Sequence, residues 1–239
     1  MNLQRVICLI DGLNLYHAIS ALDRPELKWV DLRNLSKVFL KSHSEQLSRV
    51  FYFSAYAEHV SESSQKCQRA HIRALELTEV VPILGHFKEK TRKCPSCNHR
   101  WIGHEEKETD VNIALFLLNL AYQNAFDRAL LISNDSDLAP AIRMVRKYFP
   151  QKRITTVSPP QYFHSRELIQ ASSDKTKVRV EHLERCLLPL IVTDASSAQS
   201  RLKIRIGPRQ SPYNRRSQID PYSCNTDQLA IVDSTELSR

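Results

Sequence analysis

No apolar run in the 239 residues approaches the ~20 needed to cross a bilayer as a helix. The first apolar stretch, Val6 to Ile10, is too short for a secretory signal core and runs straight into Asp11. A cytoplasmic protein is the expectation. Six cysteines are scattered along the chain (Cys8, Cys67, Cys94, Cys97, Cys186 and Cys224), and only Cys94 and Cys97 are close. That spacing argues against a disulfide framework and leaves room for one metal clip among reduced thiols. There is no internal repeat.

What is present is ordinary for a globular protein: 42% hydrophobic and 25% charged residues. The length suits one α/β domain plus a tail. A formal net charge of +8 leans toward a polyanionic partner. Many soluble proteins are this basic, however, and several cations fall late in the chain, at Arg201, Lys203, Arg205, Arg209, Arg215 and Arg216.

Val6-Ile-Cys-Leu-Ile10 has the pattern of a strand buried on both faces. Helices are expected over 14–21, 31–41, 61–77, 110–122 and 137–148, and strands over 49–56, 80–84, 128–133 and 153–157. Pro82 points to an edge position for the 80–84 strand. Pro140 is tolerated in the first turn of its helix. The 110–122 helix is apolar nearly all round, with Val111, Ala114, Leu115, Leu118 and Tyr122 on one face, and is expected to be buried. Phe51, Tyr52, Phe53 and Tyr56 read as core, and His71 as surface or packing.

Alternating strands and helices imply a parallel sheet of about five strands covered on both faces. The expected organisation is a domain over 1–160 with an irregular insert at about 86–107. A helical extension follows over 161–193, with helices near 164–172 and 180–188, and then a disordered basic tail over 194–239.

Four acids stand at strand ends or helix starts. Asp11 closes the first strand, Asp135 and Asp137 follow the strand at 128–133, and Asp110 opens the helix after the insert. Loops at the carboxyl ends of parallel strands share one edge, where ligands bind. Carboxylates gathered there repel one another, and a hard divalent cation relieves that repulsion. A metal so held activates water and stabilises the leaving oxygen in phosphodiester cleavage. Asn14, one turn past Asp11, is placed to hold a metal-bound water or a phosphate oxygen. Singly, Asp110 and Asp137 are ordinary helix-start acids. Asp11 is less well explained by capping alone.

Ile10-Asp-Gly-Leu-Asn-Leu15, Lys107-Glu-Thr-Asp-Val-Asn-Ile-Ala114 and Leu131-Ile-Ser-Asn-Asp-Ser-Asp-Leu138 resemble, in order, the three signature segments of NYN domains, the LabA-like branch of the PIN-like nuclease superfamily. The resemblance covers about residues 3–160. It implies a PIN-like three-layer α/β fold and Mg²⁺- or Mn²⁺-dependent RNA cleavage, a hydrolase activity. Asp11, Asp110, Asp135 and Asp137 would then bind metal, with Asn14 as a polar helper. Two positions depart from the family pattern. Phe116 stands where many members carry a further acid, and Asn134 where many have Gly.

The insert carries Cys94-Pro-Ser-Cys97, with His99 and His104 after it and His86 before it. Cys94, Cys97, His99 and His104 could complete a tetrahedral structural zinc site, with His86 an alternative to His99. A reduced pair in a mobile loop is the plainer reading, because a second CxxC is absent. Lys88, Lys90, Arg92, Lys93 and Arg100 are candidate phosphate contacts, or else a solvated surface.

The functional expectation is an endoribonuclease with an RNA substrate. One alternative is a catalytically weak RNA-binding or regulatory module, favoured by Phe116. Another is a phosphatase of the haloacid-dehalogenase type, whose chemistry wants a second Asp at the position of Leu13.

Overall fold

Val6, Cys8 and Ile10 pack into one apolar layer, while Ile7 and Leu9 pack into the other. This two-sided burial is why the strand reads as an unbroken apolar run. The computed structural model describes residues 3–94, 96–193, 203–205 and 231–232. The strand is β1 (Gln4–Asp11), followed by α1 (Gly12–Ser20), a 3₁₀ turn at Pro25–Trp29, and α2 (Leu32–Lys37). Next come β2 (Glu45–Ala55), α3 (Glu62–Leu77), β3 (Val80–Lys93), β4 (Arg100–Lys107) and α4 (Thr109–Tyr122). Then follow β5 (Arg128–Ile132), a 3₁₀ turn at Ser136–Leu138, α5 (Ala139–Tyr148), β6 (Arg153–Ser158), α6 (Arg166–Ala171), β7 (Asp174–Lys177) and α7 (Val180–Arg185).

The main sheet has seven strands in the order β4-β3-β2-β1-β5-β6-β7. Every pairing in it is parallel except β3 with β4. The class is the expected three-layer α/β fold. The count of about five is corrected to seven by β4 and by β7, which lies within 161–193. Both are polar strands of mixed charge, so neither carries the apolar signal by which buried strands are recognised.

The expected irregular insert is instead a regular hairpin. After pairing with β2 through Gly85, β3 runs on and pairs with β4 from His86↔Lys107 to Lys93↔Arg100. Gly85 permits this crossing: a Cβ there would come within 2.5 Å of the Lys107 carbonyl oxygen. Beyond Ala55, the last β2 residue in register with β3, eight residues of β3 project roughly 25 Å past the carboxyl edge of the sheet. Pro82 lies in the half of β3 whose other side carries no partner strand, which fits its missing N–H.

The 110–122 helix forms, but it is buried on one side only rather than all round. Ile113, Leu117, Leu120 and Ala121 are buried, whereas Val111, Leu115 and Tyr122 are 57–70% exposed. A helix apolar on all sides carries no periodic signal to choose its inner face, so the sheet decides. Phe51, Tyr52 and Phe53 are buried as expected, Tyr56 is half-buried against the layer that holds Tyr52, and His71 packs T-shaped between Trp29 and Tyr52. The tail over 194–239 lies largely outside the described residues. Within it, β9 (Lys203–Arg205) pairs antiparallel with β8 (Ile191–Thr193) and with β10 (Ile231–Val232).

Among the described residues, one ion pair lies inside the fold. Arg128 Nη1 donates to Glu45 Oε2 at 2.7 Å, with both side chains at most 6% exposed. Arg128 Nε donates to Thr155 Oγ1, and Glu45 Oε2 also accepts from the Lys41 N–H. Removing one partner strands a buried charge, at a cost of about 3–5 kcal/mol. Glu45→Ala is therefore expected to lower the thermal unfolding midpoint by roughly 6–20 °C. The paired replacement Glu45→Met with Arg128→Leu should recover most of that loss in the same scan.

Candidate active site

Asp11 ends β1 with both carboxylate oxygens engaged. Oδ1 accepts from the Asn14 backbone N–H at 3.0 Å, capping α1, and Oδ2 accepts from Ser133 Oγ at 2.9 Å. The side chain enters this position because α1 starts hard against β2. A Cβ on Gly12 would lie 2.5 Å from the Tyr52 ring and 2.6 Å from the Phe53 carbonyl oxygen. Ser133 Oγ also accepts from the Asp135 N–H at 3.1 Å, and Asp135 Oδ1 accepts from the Asp137 N–H at 2.9 Å. Asn14 Oδ1 accepts from the Asn134 N–H at 3.1 Å, and Asn134 Oδ1 accepts from the Ser165 N–H at 2.9 Å. One hydrogen-bonded chain thus links the ends of β1, β5 and the β6–α6 loop.

Asp110 joins from the first turn of α4. It does not cap that helix. Glu106 on β4 accepts from both the Thr109 N–H and the Thr109 hydroxyl, and Glu108 takes a left-handed conformation at φ 78°. The acids feel one another. Burial pushes Asp11 up to about 7, against its hydrogen bonds from Asn14 and Ser133, and Asp110 and Asp135 add to the rise. Burial, then Asp135, Glu106 and Asp137, push Asp110 up to about 6. Asp110 is thus within electrostatic reach of Asp11, Asp135, Asp137 and Glu106, while hydrogen bonds through Ser133 tie Asp11 to Asp135 and Asp137. Among the described residues, however, no three His, Cys, Asp or Glu stand close enough to hold one ion directly.

Ser133 and Glu106 were not anticipated from sequence. Ser133 carries a signal, a hydroxyl where a buried strand meets an Asn-Asp-Ser-Asp run. Glu106 carries one only once the hairpin register is known. Phe116 packs edge-on against Phe51 and Phe53, at 5.6 and 5.4 Å between ring centroids. It serves the core below the acids.

The four expected zinc ligands are not brought together. Cys94 and Cys97 sit at the hairpin tip, where the Cys94 N–H donates to the His99 carbonyl and backbone N–H groups of Cys97 and Ser96 hold the Cys94 thiol below its ordinary range. The His99 ring stacks near Trp101 instead. His104 lies across from Glu89 and stacks on His59 with ring centroids 3.9 Å apart. His86 is farther still from the tip, across from Lys107 and near Glu108. A regular β ladder spreads these residues over five or more positions, and the sequence spacing carried no hint of that. Of the candidate phosphate contacts, Lys88, Lys90 and Arg92 share one hairpin face with Trp101, and Lys93 and Arg100 share the other.

The raised acids fix a pH dependence. The folded protein holds protons on Asp11 and Asp110 that the unfolded chain releases above about pH 4. This contribution to stability is present at low pH and is lost as pH rises through 6 to 7. Asp11→Asn keeps the shape, and its new amide can donate to Ser133 Oγ. Its unfolding midpoint relative to the parent is expected to climb between pH 4 and pH 8, at about 2–4 °C per kcal/mol. A pH-independent difference in thermal scans would contradict the burial of this charge.

A family model for the NYN domain matches residues 5–179, past the residue 160 reached by the sequence resemblance and through β7. The chain is 33% identical over 173 residues to 6-hydroxy-3-succinoylpyridine 3-monooxygenase HspA of Pseudomonas putida, covering 58% of this chain and 54% of that protein. It thus spans about half the length of that curated relative. The crystal structure of a protein of unknown function from Vibrio parahaemolyticus shares the fold, with TM-score 0.52 at 18% identity, over 77% of this chain and 96% of that one. Among the described residues no helix is long and apolar enough to cross a membrane. With its three signature segments meeting at one sheet edge inside the matched span, the chain belongs to the NYN domain family, within the PIN-like nuclease superfamily.

Proposed function

We propose that this chain is a metal-dependent endoribonuclease whose divalent ion, Mg²⁺ or Mn²⁺, is held at the edge formed by Asp11, Asp110, Asp135 and Asp137. The observation that carries the reading is the hydrogen-bonded chain from Asn14 through Asp11, Ser133 and Asp135 to Asp137, with Asp110 close enough to perturb Asp11. The donor set is all oxygen and crowded with like charge, which suits a hard cation. Mg²⁺ is typically held by one or two carboxylates and keeps several waters, so it needs no closed protein cage. When bound, such an ion supplies an activated water and stabilises charge on the phosphate and leaving oxygen.

The remaining work falls to the chain's own groups. Ser133 fixes one oxygen of Asp11 and the backbone of Asp135, so the acids of β1 and β5 keep a common geometry. Asn14 accepts at Oδ1 from Asn134, which leaves its amide nitrogen as the donor for a phosphate oxygen. The hairpin stands over this edge and carries Lys88, Lys90, Arg92, Lys93 and Arg100. Lys90 is paired with Glu105 at 3.1 Å. Lys93 and Arg100 face each other directly across the ladder, a repulsive pair that a phosphate backbone would relieve.

A second reading is a non-cleaving RNA-binding module. It is favoured by Phe116, whose ring fills core space against Phe51 and Phe53 where many relatives place an acid. The two separate in one assay: cleavage of single-stranded and structured RNA with Mg²⁺, Mn²⁺ or EDTA, beside Asp135→Asn. The nuclease reading expects cutting that EDTA abolishes and Asp135→Asn lowers by roughly 100-fold or more. RNA binding by folded protein that never cuts, with either metal, would establish the second reading instead.

A further inference from the structure

The loop between β6 and α6 leaves the same carboxyl edge of the sheet as Asp11 and Asp135. It is braced at both ends. Ser158 Oγ donates to the carbonyl oxygens of Tyr162 at 3.1 Å and Pro159 at 3.3 Å, and the Ser165 N–H donates to Asn134 Oδ1 at 2.9 Å. Two prolines, Pro159 and Pro160, stiffen its first half, and Gln161 turns the chain at φ 62°. Within this fixed frame Phe163 is 91% exposed and Tyr162 beside it is 40% exposed. Phenylalanine ordinarily finds burial, and a mobile loop would let the ring fold down. Here the backbone holds it out.

The surroundings are cationic. Lys177 Nζ lies 6.0 Å from the Phe163 ring centroid. Lys175 shares a face of β7 with Lys177 by strand alternation. The neighbouring His164 is held below its ordinary range by burial and then by these two lysines. The nearby acids are engaged: Glu167 accepts from Ser165 Oγ at 2.9 Å, and Asp174 pairs with Arg153 at 2.7 Å. The link to the acid cluster is direct, because Ser165 holds Asn134, which holds Asn14 and precedes Asp135.

We propose that Phe163, with Tyr162 beside it, is a stacking platform for an unpaired base of a nucleic-acid strand lying across the acid edge. Lys175 and Lys177 take the adjoining phosphates. Every base offers a π-face, so the platform selects strandedness rather than sequence. A base inside a duplex keeps its faces stacked on its neighbours and cannot use the ring. The inference rests on the nuclease reading of this edge and adds to it a base-stacking residue outside the acid cluster, one that favours an unpaired strand.

The test is fluorescence anisotropy in Mg²⁺ on the Asp135→Asn background, so that the probe is not consumed. The probes are one labelled single-stranded RNA, its blunt duplex, and the single-stranded DNA of the same sequence. Phe163→Ala is expected to weaken single-stranded RNA binding roughly 5- to 150-fold. Phe163→Trp should restore it, and duplex affinity should change less than about two-fold. Equal losses on single strand and duplex, no loss at all, or no RNA binding by the Asp135→Asn parent would each overturn the platform. Tighter, Phe163-dependent binding of the DNA strand would overturn RNA as its substrate. Cleavage by the unmodified protein is measured alongside. Metal-dependent cutting with an inert Phe163→Ala sinks this inference alone, and Phe163-dependent binding without any cutting sinks the nuclease reading alone.

Discussion

Asp11 is a buried carboxylate at the carboxyl end of a parallel strand, with Asp110 and Asp135 adding like charge beside it, and much of the local architecture is the means of holding it there. Asp11 is 4% exposed, and burial raises its pKa to about 7. A carboxylate so placed is costly unless its lone pairs are met. Ser133 meets one oxygen and the start of α1 meets the other. The Ser133 contact exists because β1 and β5 are adjacent and parallel, so their carboxyl ends coincide. The missing side chain at Gly12 lets α1 begin close to β2 directly after the acid. Strain of this kind is expected where a site is organised for a ligand rather than for stability.

Two structures flank that edge. On one side the β3–β4 hairpin projects beyond the sheet, and its base delivers Glu106 and the start of α4 to the acids. On the other the β6–α6 loop is tied to Asn134. The body of the sheet supports both from below, with the Arg128–Glu45 pair locking the opposite ends of β5 and β2. The acids therefore lie between two projecting segments, one carrying Lys88, Lys90 and Arg92 on a single face and the other carrying the exposed Phe163 near Lys177.

Much of this was legible in the sequence, and the misses have physical causes. β1 announced itself because burial on both faces demands an unbroken apolar run, and Asp11 stood out because such a run ends in charge. Asp110, Asp135 and Asp137 could be gathered with it because strand order in a parallel sheet fixes which loops share an edge. The hairpin was invisible: its strands are solvent-facing and mixed in charge, so hydropathy reads them as a loop. The four-ligand set was misjudged with it, since ligand spacing measured along a loop has no meaning on a ladder that separates Cys94 from His104. The inner face of α4 could not be read from a helix that is apolar all round. The exposure of Phe163 could not be read either, because an exposed aromatic after Pro-Pro differs from a buried one only in three dimensions.

The central claim, that the four acids form one divalent-ion site, is tested most directly by Mn²⁺ binding followed by electron paramagnetic resonance. Measurements are made on the unmodified protein and on Asp11→Asn, Asp110→Asn and Asp135→Asn, each checked for folding. The account predicts saturable Mn²⁺ binding that every one of the three substitutions weakens strongly, competed by Mg²⁺. Mn²⁺ binding that survives all three, or no binding by the folded parent, would contradict it.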